Sequence, residues 1–272
     1  KKQPPKPAVT RQMPVQQPKQ VPPVQVPQQA AAPQTPAQVK TFSVDTPLYR
    51  ATWSSAGGAL TSLQLKRYKE TMDPHSKTVD IVNSPMPLID LGTRFNDTSF
   101  IYEMSGTEGT DPDNIPRQIV FSTQLGEGVV LRKIYTIDPG TYILGYKLVV
   151  ENNTANPLSA GMRLYMDGTY PIGEKKKGYA FEGPVLLEDK HLEEFKISKV
   201  DKVGIYRDFP GKIQWFGIED KYFIRTVIPK AQPQTTLTIK RVDEKVIRMI
   251  YDIGTMRVEP GRSMEKDYLL FM

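Results

Sequence analysis

The chain has 272 residues, 39% apolar and 24% charged, with no cysteine and a mean hydropathy of −0.43. That composition describes a mostly globular polypeptide, excludes disulfides, thiolate metal sites and a cysteine nucleophile, and leaves the compartment open. The net charge of +6 belongs to one segment. Residues 1–39 hold Lys1, Lys2, Lys6, Arg11 and Lys19 with no acid, so the other 233 residues carry 31 basic against 30 acidic side chains. A near-neutral body has no overall field to attract phosphate, which argues against nucleic acid as a partner.

Residues 1–39 contain ten Pro and ten Gln and no aromatic residue. They are expected to form a disordered, extended linker reaching on the order of 100 Å at ~3 Å per residue. A PxxP ligand, as in Pro4–Pro7 or Pro33–Pro36, is the functional alternative, but Pro/Gln tracts more often act as spacers. No apolar h-region follows the basic start, so a signal peptide is not expected. The longest apolar run, Tyr268–Met272, falls far short of the ~20 residues that a spanning helix needs.

From Lys40 onward the apolar period is two. Val129, Leu131, Tyr135 and Ile137 share one face of a predicted strand, as do Tyr142, Leu144, Tyr146, Leu148 and Val150, and Ile247, Met249, Tyr251 and Ile253. Such alternation marks half-buried strands. Turn signals separate them at Ala56-Gly57-Gly58, Gly126-Glu127-Gly128, Asp138-Pro139-Gly140, Asn156-Pro157, Pro210-Gly211 and Glu259-Pro260-Gly261. Leu192–Lys199 is the one candidate for a short helix. The expected architecture is all-β, a large antiparallel β-sandwich formed by residues 40–272 as a single domain.

Chemistry-bearing motifs are scarce. His75 and His191, the only histidines, each sit among charges in a predicted loop. Such positions favour solvated surface residues over a general base or a metal pair. Asp111-Pro112-Asp113-Asn114 has an oxygen-ligand look but lacks the glycine and terminal glutamate of a calcium loop. Gly173-Glu174-Lys175-Lys176-Lys177-Gly178 lacks the spacing of a phosphate loop and reads as a solvated charged loop, with contact to anionic lipid or an acidic partner left open. No catalytic, cofactor or metal residue is assigned.

Two segments carry a specific resemblance. Asp45-Thr46-Pro47-Leu48-Tyr49-Arg50-Ala51 leads through Ala56-Gly57-Gly58 to Leu60–Tyr68, and Trp215-Phe216-Gly217-Ile218-Glu219-Asp220-Lys221-Tyr222-Phe223 runs on to Ile228-Pro229. Both resemble the large periplasmic domain of the YidC family of bacterial inner-membrane protein insertases, over residues 41–272. The resemblance implies a β-supersandwich of galactose-mutarotase-like fold on the periplasmic side of the inner membrane, behind a Pro/Gln-rich linker. It implies membrane attachment through flanking helices outside this chain. The implied role is non-catalytic, as scaffold and partner surface in membrane protein insertion, with Sec translocon accessory subunits or nascent membrane proteins as partners. Among the motif residues Gly57, Gly58, Trp215, Gly217, Lys221, Tyr222 and Phe223, all expected to be structural, Trp215 and Phe223 should anchor the core and Lys221 cap a strand edge or snorkel. The alternative class is a sugar-binding or mutarotase-like domain. Its chemistry needs an acid and a base converging on one cleft.

Overall fold

The computed structural model describes residues 38–90, 97, 100–110, 115–126, 128–170 and 181–272, with the side chains of 105–110 excepted. The Pro/Gln tail up to residue 37, the Asp111–Asn114 turn and the Gly173–Gly178 loop lie outside the described residues. Gln38–Met272 forms one compact unit.

Seventeen strands are described: β1 (Thr41–Asp45), β2 (Tyr49–Ser54), β3 (Ala59–Lys69), β4 (Thr78–Asp80), β5 (Leu88–Asp90), β6 (Glu103–Thr110), β7 (Pro116–Gln124), β8 (Val129–Ile137), β9 (Ile143–Asn152) and β10 (Leu158–Thr169). The series continues with β11 (Gly183–Glu188), β12 (His191–Glu194), β13 (Tyr206–Glu219), β14 (Ile224–Pro229), β15 (Gln234–Arg241), β16 (Val246–Val258) and β17 (Arg262–Phe271). All pairings are antiparallel. Strands β1 to β4 form a four-stranded sheet, and the rest follow the order β5-β10-β16-β15-β13-β14-β17-β9-β8-β7-β6, with the β11–β12 hairpin added to β13.

The 14-residue β13 connects the two halves of that long sheet. Tyr206–Lys212 pair with β15, whereas Phe216–Glu219 lie between β11 and β14. A strand that leaves one ladder for another is how sandwiches turn a corner. Pro210-Gly211, expected to be a turn, lies inside β13 just before this switch. Proline is tolerated where one flank of the strand has no ladder partner. Gly211 also admits the neighbouring hairpin, since a Cβ there would come within 2.7 Å of the Glu188 carboxylate.

The alternation seen in the sequence is the burial pattern of the strands. Leu144, Tyr146, Leu148 and Val150 on β9 are buried, as are Ile247, Met249 and Tyr251 on β16. The helix expected at Leu192–Lys199 is absent. Leu192–Glu194 belong to β12, opposite Leu187–Val185, and only Ile197–Val200 form a 3-10 turn. The hairpin turn Asp189-Lys190 has positive φ at both residues (46° and 70°). That twist fits a two-residue β-hairpin and commits the following residues to strand.

Aromatic residues run through the core. Trp53 meets Tyr135 at 5.6 Å, Tyr135 meets Tyr146 at 5.2 Å, and Tyr146 meets Tyr268 at 5.8 Å. Further along, Phe216 stacks on Tyr251 at 5.5 Å and 13°. Burial raises the phenol pKa of Tyr49, Tyr102, Tyr135, Tyr146, Tyr170 and Tyr268, and lifts Tyr165 and Tyr251 to about 12.

A phenol whose folded pKa is raised contributes stability that is complete below its unfolded pKa of ~10 and is lost as pH climbs toward the folded value. Lys133, lowered by burial, acts with the opposite sign below its unfolded pKa of ~10.5, and Arg225 and Arg241, also lowered, do so below ~12.5, but the raised phenols are more numerous. The urea midpoint is therefore expected to fall steadily above about pH 10. Phenolate absorbance of the buried set should appear together with loss of near-ultraviolet dichroism. Ionisation of all thirteen tyrosines with native dichroism intact would contradict the burial described.

Candidate functional site

Two regions stand out: the Gly57-Gly58 turn and the β13–β14 turn with the cleft beside it. Gly57 and Gly58 link β2 to β3 with φ of +74° and +53°, a backbone region that favours glycine. The turn is buried. A Cβ on Gly58 would stand 3.1 Å from Phe121 and from the Tyr102 ring. Its carbonyls are used inside the core: Gly57 O accepts from Lys133 Nζ at 2.7 Å, and Gly58 O accepts from the Tyr135 hydroxyl at 2.9 Å.

Lys133 is the centre of a polar cluster closed to water. Its ammonium pairs with Asp97 Oδ2, both side chains being fully buried. Asp97 also accepts from the Tyr102 hydroxyl at 2.5 Å and from the Ile89 N–H at 2.6 Å. Desolvation lowers the Lys133 pKa against the raising effect of Asp97. A lowered lysine pKa can mark a nucleophile, but a lysine with no exposed surface and three oxygen partners is structural. The signal in the sequence was parity. Lys133 occupies the inward position between Leu131 and Tyr135, and a charge on a core face requires a buried partner.

The second region follows from β13 and β14 lying unusually close. A Cβ on Gly217 would come within 2.4 Å of the Arg225 carbonyl, so only glycine fits opposite Thr226. Asp220 holds the turn, its Oδ1 accepting from the N–H groups of Tyr222 and Phe223, each at 3.0 Å. Lys221 and Tyr222 are left at the exposed tip with the ammonium 4.7 Å from the ring centre. Phe223 folds back, half-buried, against Tyr68. Lys221 therefore caps its neighbouring ring rather than a strand edge.

Beside the turn lies a cleft of about 110 Å³ lined by Asn83, Thr169, Ile218, Asp220, Phe223 and Arg225 among others. Small-molecule sites usually run to roughly 300–1,000 Å³. Arg225 in its lining donates to Ile81 O at 2.8 Å, Asn83 Oδ1 at 2.6 Å and Asp167 O at 3.0 Å. Burial lowers its pKa. Neither His75 nor His191 lines this cleft. His75 is exposed on the β3–β4 loop, and His191 is exposed on β12, a strand rather than the predicted loop. Among the described residues no group of three or more His, Asp or Glu is placed to hold a metal ion.

Phe216, not Trp215, is the core anchor of the second motif. Phe216 is fully buried, while Trp215 on the opposite face of β13 is half-buried and outside the core cluster. Adjacent strand residues face opposite ways, so only one of the two could enter the core.

The YidC periplasmic domain family matches residues 41–272. The chain belongs to that family. Among similar proteins, the membrane protein insertase YidC of Syntrophus aciditrophicus is 28% identical over 241 residues, 85% of this chain and 43% of that protein. The one of Pelobacter propionicus is 29% identical over 243 residues, 87% of this chain and 44% of that protein. The chain thus spans less than half the length of these relatives. Among solved structures, a galactose mutarotase-like protein from Lactobacillus casei superposes with a TM-score of 0.53 at 12% identity, covering 85% of this chain and 99% of that one. A galactose mutarotase related enzyme from Lactobacillus acidophilus gives 0.52 at 10% identity, over 85% and 97%. At such identities the likeness is of fold alone. A YidC periplasmic domain is therefore a mutarotase-like sandwich whose relatives are named insertases rather than sugar enzymes.

For this YidC domain the buried pair and the Phe216 anchor have measurable consequences. Lys133→Met is expected to cost about 3–5 kcal/mol, because Asp97 is left buried and unpaired. Adding Asp97→Leu should recover much of that loss. Phe216→Ala should cost about 3–5 kcal/mol and Trp215→Ala clearly less. Urea unfolding of the four variants checks both statements. Equal losses for Phe216→Ala and Trp215→Ala would contradict the burial.

Proposed function

We propose that residues 40–272 act as a non-catalytic scaffold and partner-binding domain of a membrane protein insertase, on the periplasmic side of the bacterial inner membrane. The observation that carries this reading is the family match over residues 41–272, joined to relatives named membrane protein insertase. No helix among the described residues is long and apolar enough to cross a membrane. Membrane attachment would come from flanking helices, for which the relatives' greater length leaves room. Residues 1–39 would serve as a leash, since a Pro/Gln-rich segment reaches far without folding. Partners of this class are Sec translocon accessory subunits and nascent membrane proteins. The motif residues Gly57, Gly58, Gly217 and Phe223 would keep the two turns in shape rather than touch a ligand.

A sugar-active function has the fold in its favour and the site against it. In the cleft the terminal nitrogens of Arg225 and Oδ1 of Asp220 are taken up by neighbouring groups, and the two histidines lie elsewhere. A photoreactive side chain at Thr169 of the membrane-embedded parent is expected to give adducts with translocon subunits or a nascent chain, while polarimetry over a sugar panel shows no anomer interconversion above buffer. Interconversion abolished by His75→Ala or His191→Ala, with no adducts, would reverse the assignment.

A further inference from the structure

Five large apolar side chains stand exposed toward one end of the sandwich, on strand ends, a turn and a hairpin. On β14, β17 and β9, Thr226 lies opposite Phe271 and Phe271 opposite Ile143. The turn Asp220–Phe223 precedes Ile224 and so projects a few residues past that level, at ~3.3 Å per residue. Phe223 meets Tyr68 edge-on, with ring centres 5.4 Å apart, which brings the outer part of the β3–β4 hairpin to the same end. Every residue from Lys66 to His75 on that hairpin is exposed. The end therefore presents Tyr68, Met72, Ile143, Tyr222 and Phe271, with Met72 100% and Tyr222 73% exposed.

Charge at this end is of mixed sign: Arg67, Lys69, Glu70 and Asp73 stand exposed on the hairpin. Lys66 pairs with Asp45, Asp220 is occupied by its own turn, and Lys221 covers the Tyr222 ring. The apolar groups sit on separate strand ends and turns with charged neighbours between them. A partner protein needs a continuous face of about 800 Å², which scattered projecting tips do not offer. The boundary between lipid headgroups and acyl chains takes such groups singly. Tyrosine with a wet hydroxyl and lysine with a long stem are the side chains suited to that depth. We propose that this end of the domain docks on a phospholipid surface, with Tyr222 and Met72 entering the headgroup–acyl boundary. The proposal rests on the membrane-associated role given above, and it adds a lipid contact made by the domain itself.

The test uses the full chain with an N-terminal histidine tag, tethered to phosphatidylcholine vesicles that carry a chelating lipid. Tyr222→Trp supplies a reporter, read against the wild type, whose two tryptophans are Trp53 and Trp215. Its emission is expected to shift to the blue and to be quenched by brominated phosphatidylcholine. Untethered chain should float with the same vesicles, Met72→Ser with Tyr222→Ser should lower the bound fraction at least about tenfold, and added salt should change it little. Urea unfolding of the variants should match wild type, because the substituted side chains are exposed. An unquenched reporter on tethered chain overturns the proposal, and so does binding that needs phosphatidylglycerol and vanishes in salt. Protein adducts in the cross-linking experiment are read independently of vesicle binding, so either reading can fail alone.

Discussion

A lysine and an aspartate with no access to water, Lys133 and Asp97, tie β8 to the glycine turn after β2 and to Pro87 and Ile89. Taking two charges out of water costs several kcal/mol for each ion. The cost is offset only because the Gly57 carbonyl, the Tyr102 hydroxyl and the Ile89 N–H complete the cluster. The pair also fixes register. A slip of one residue in β8 would turn Lys133 outward and bring Arg132 or Ile134 to face Asp97. This end of the sandwich is thus specified by polar satisfaction as well as by packing.

The aromatic layer builds on that register. Tyr135, two residues along β8, reaches the second glycine of the turn through its hydroxyl and meets Trp53, Phe121 and Tyr146 through its ring. Tyr146 continues to Tyr268 on β17, so one line of rings crosses from the four-stranded sheet to the centre of the long sheet. At the far side β13 repeats the arrangement with different parts. Phe216 stacks on Tyr251 while Gly217, having no side chain, lets β14 approach closely enough for Arg225 to reach Ile81, Asn83 and Asp167. In both places a glycine removes bulk so that a buried cation can reach backbone carbonyls.

Most of the strands were legible in the sequence because their alternation is the burial pattern itself. Val129, Leu131, Tyr135 and Ile137 face inward as their spacing requires, and the turns at Asp138–Gly140 and Glu259–Gly261 fall between strands. Errors came where a local signal has two physical uses. Pro210-Gly211 can end a strand or let it change sheets, and only the neighbouring hairpin decides. Leu192–Lys199 lacks the β-branched pattern of a strand, yet the twist of Asp189-Lys190 dictates one. Trp215 beside Phe216 poses a choice of face that composition cannot make, because the larger ring is not always the inner one. Of the site, the motif turns could be read early, since glycine and aspartate advertise them. Asp97 could not, because its partner lies 36 residues away and nothing in its own neighbourhood announces a buried carboxylate.

The fold is shared with proteins named for galactose mutarotase, and the side chains of the cleft bear on whether a sugar would find a site here. A sugar site needs several donors and acceptors left free to meet hydroxyls, with an acid and a base at a defined separation. Here the two terminal nitrogens of Arg225 are committed to two carbonyls and an amide, and Oδ1 of Asp220 to two backbone N–H groups. Redirecting either would open the turn or the β14 contact that the motif maintains. Outside the cleft the fold leaves uncommitted a strand flank at Tyr206–Gly211 and the apolar tips around Tyr222. A domain built this way has its free chemistry on surfaces and ends. That is the arrangement expected if the contacts proposed above are made by the domain's surfaces rather than by its cleft.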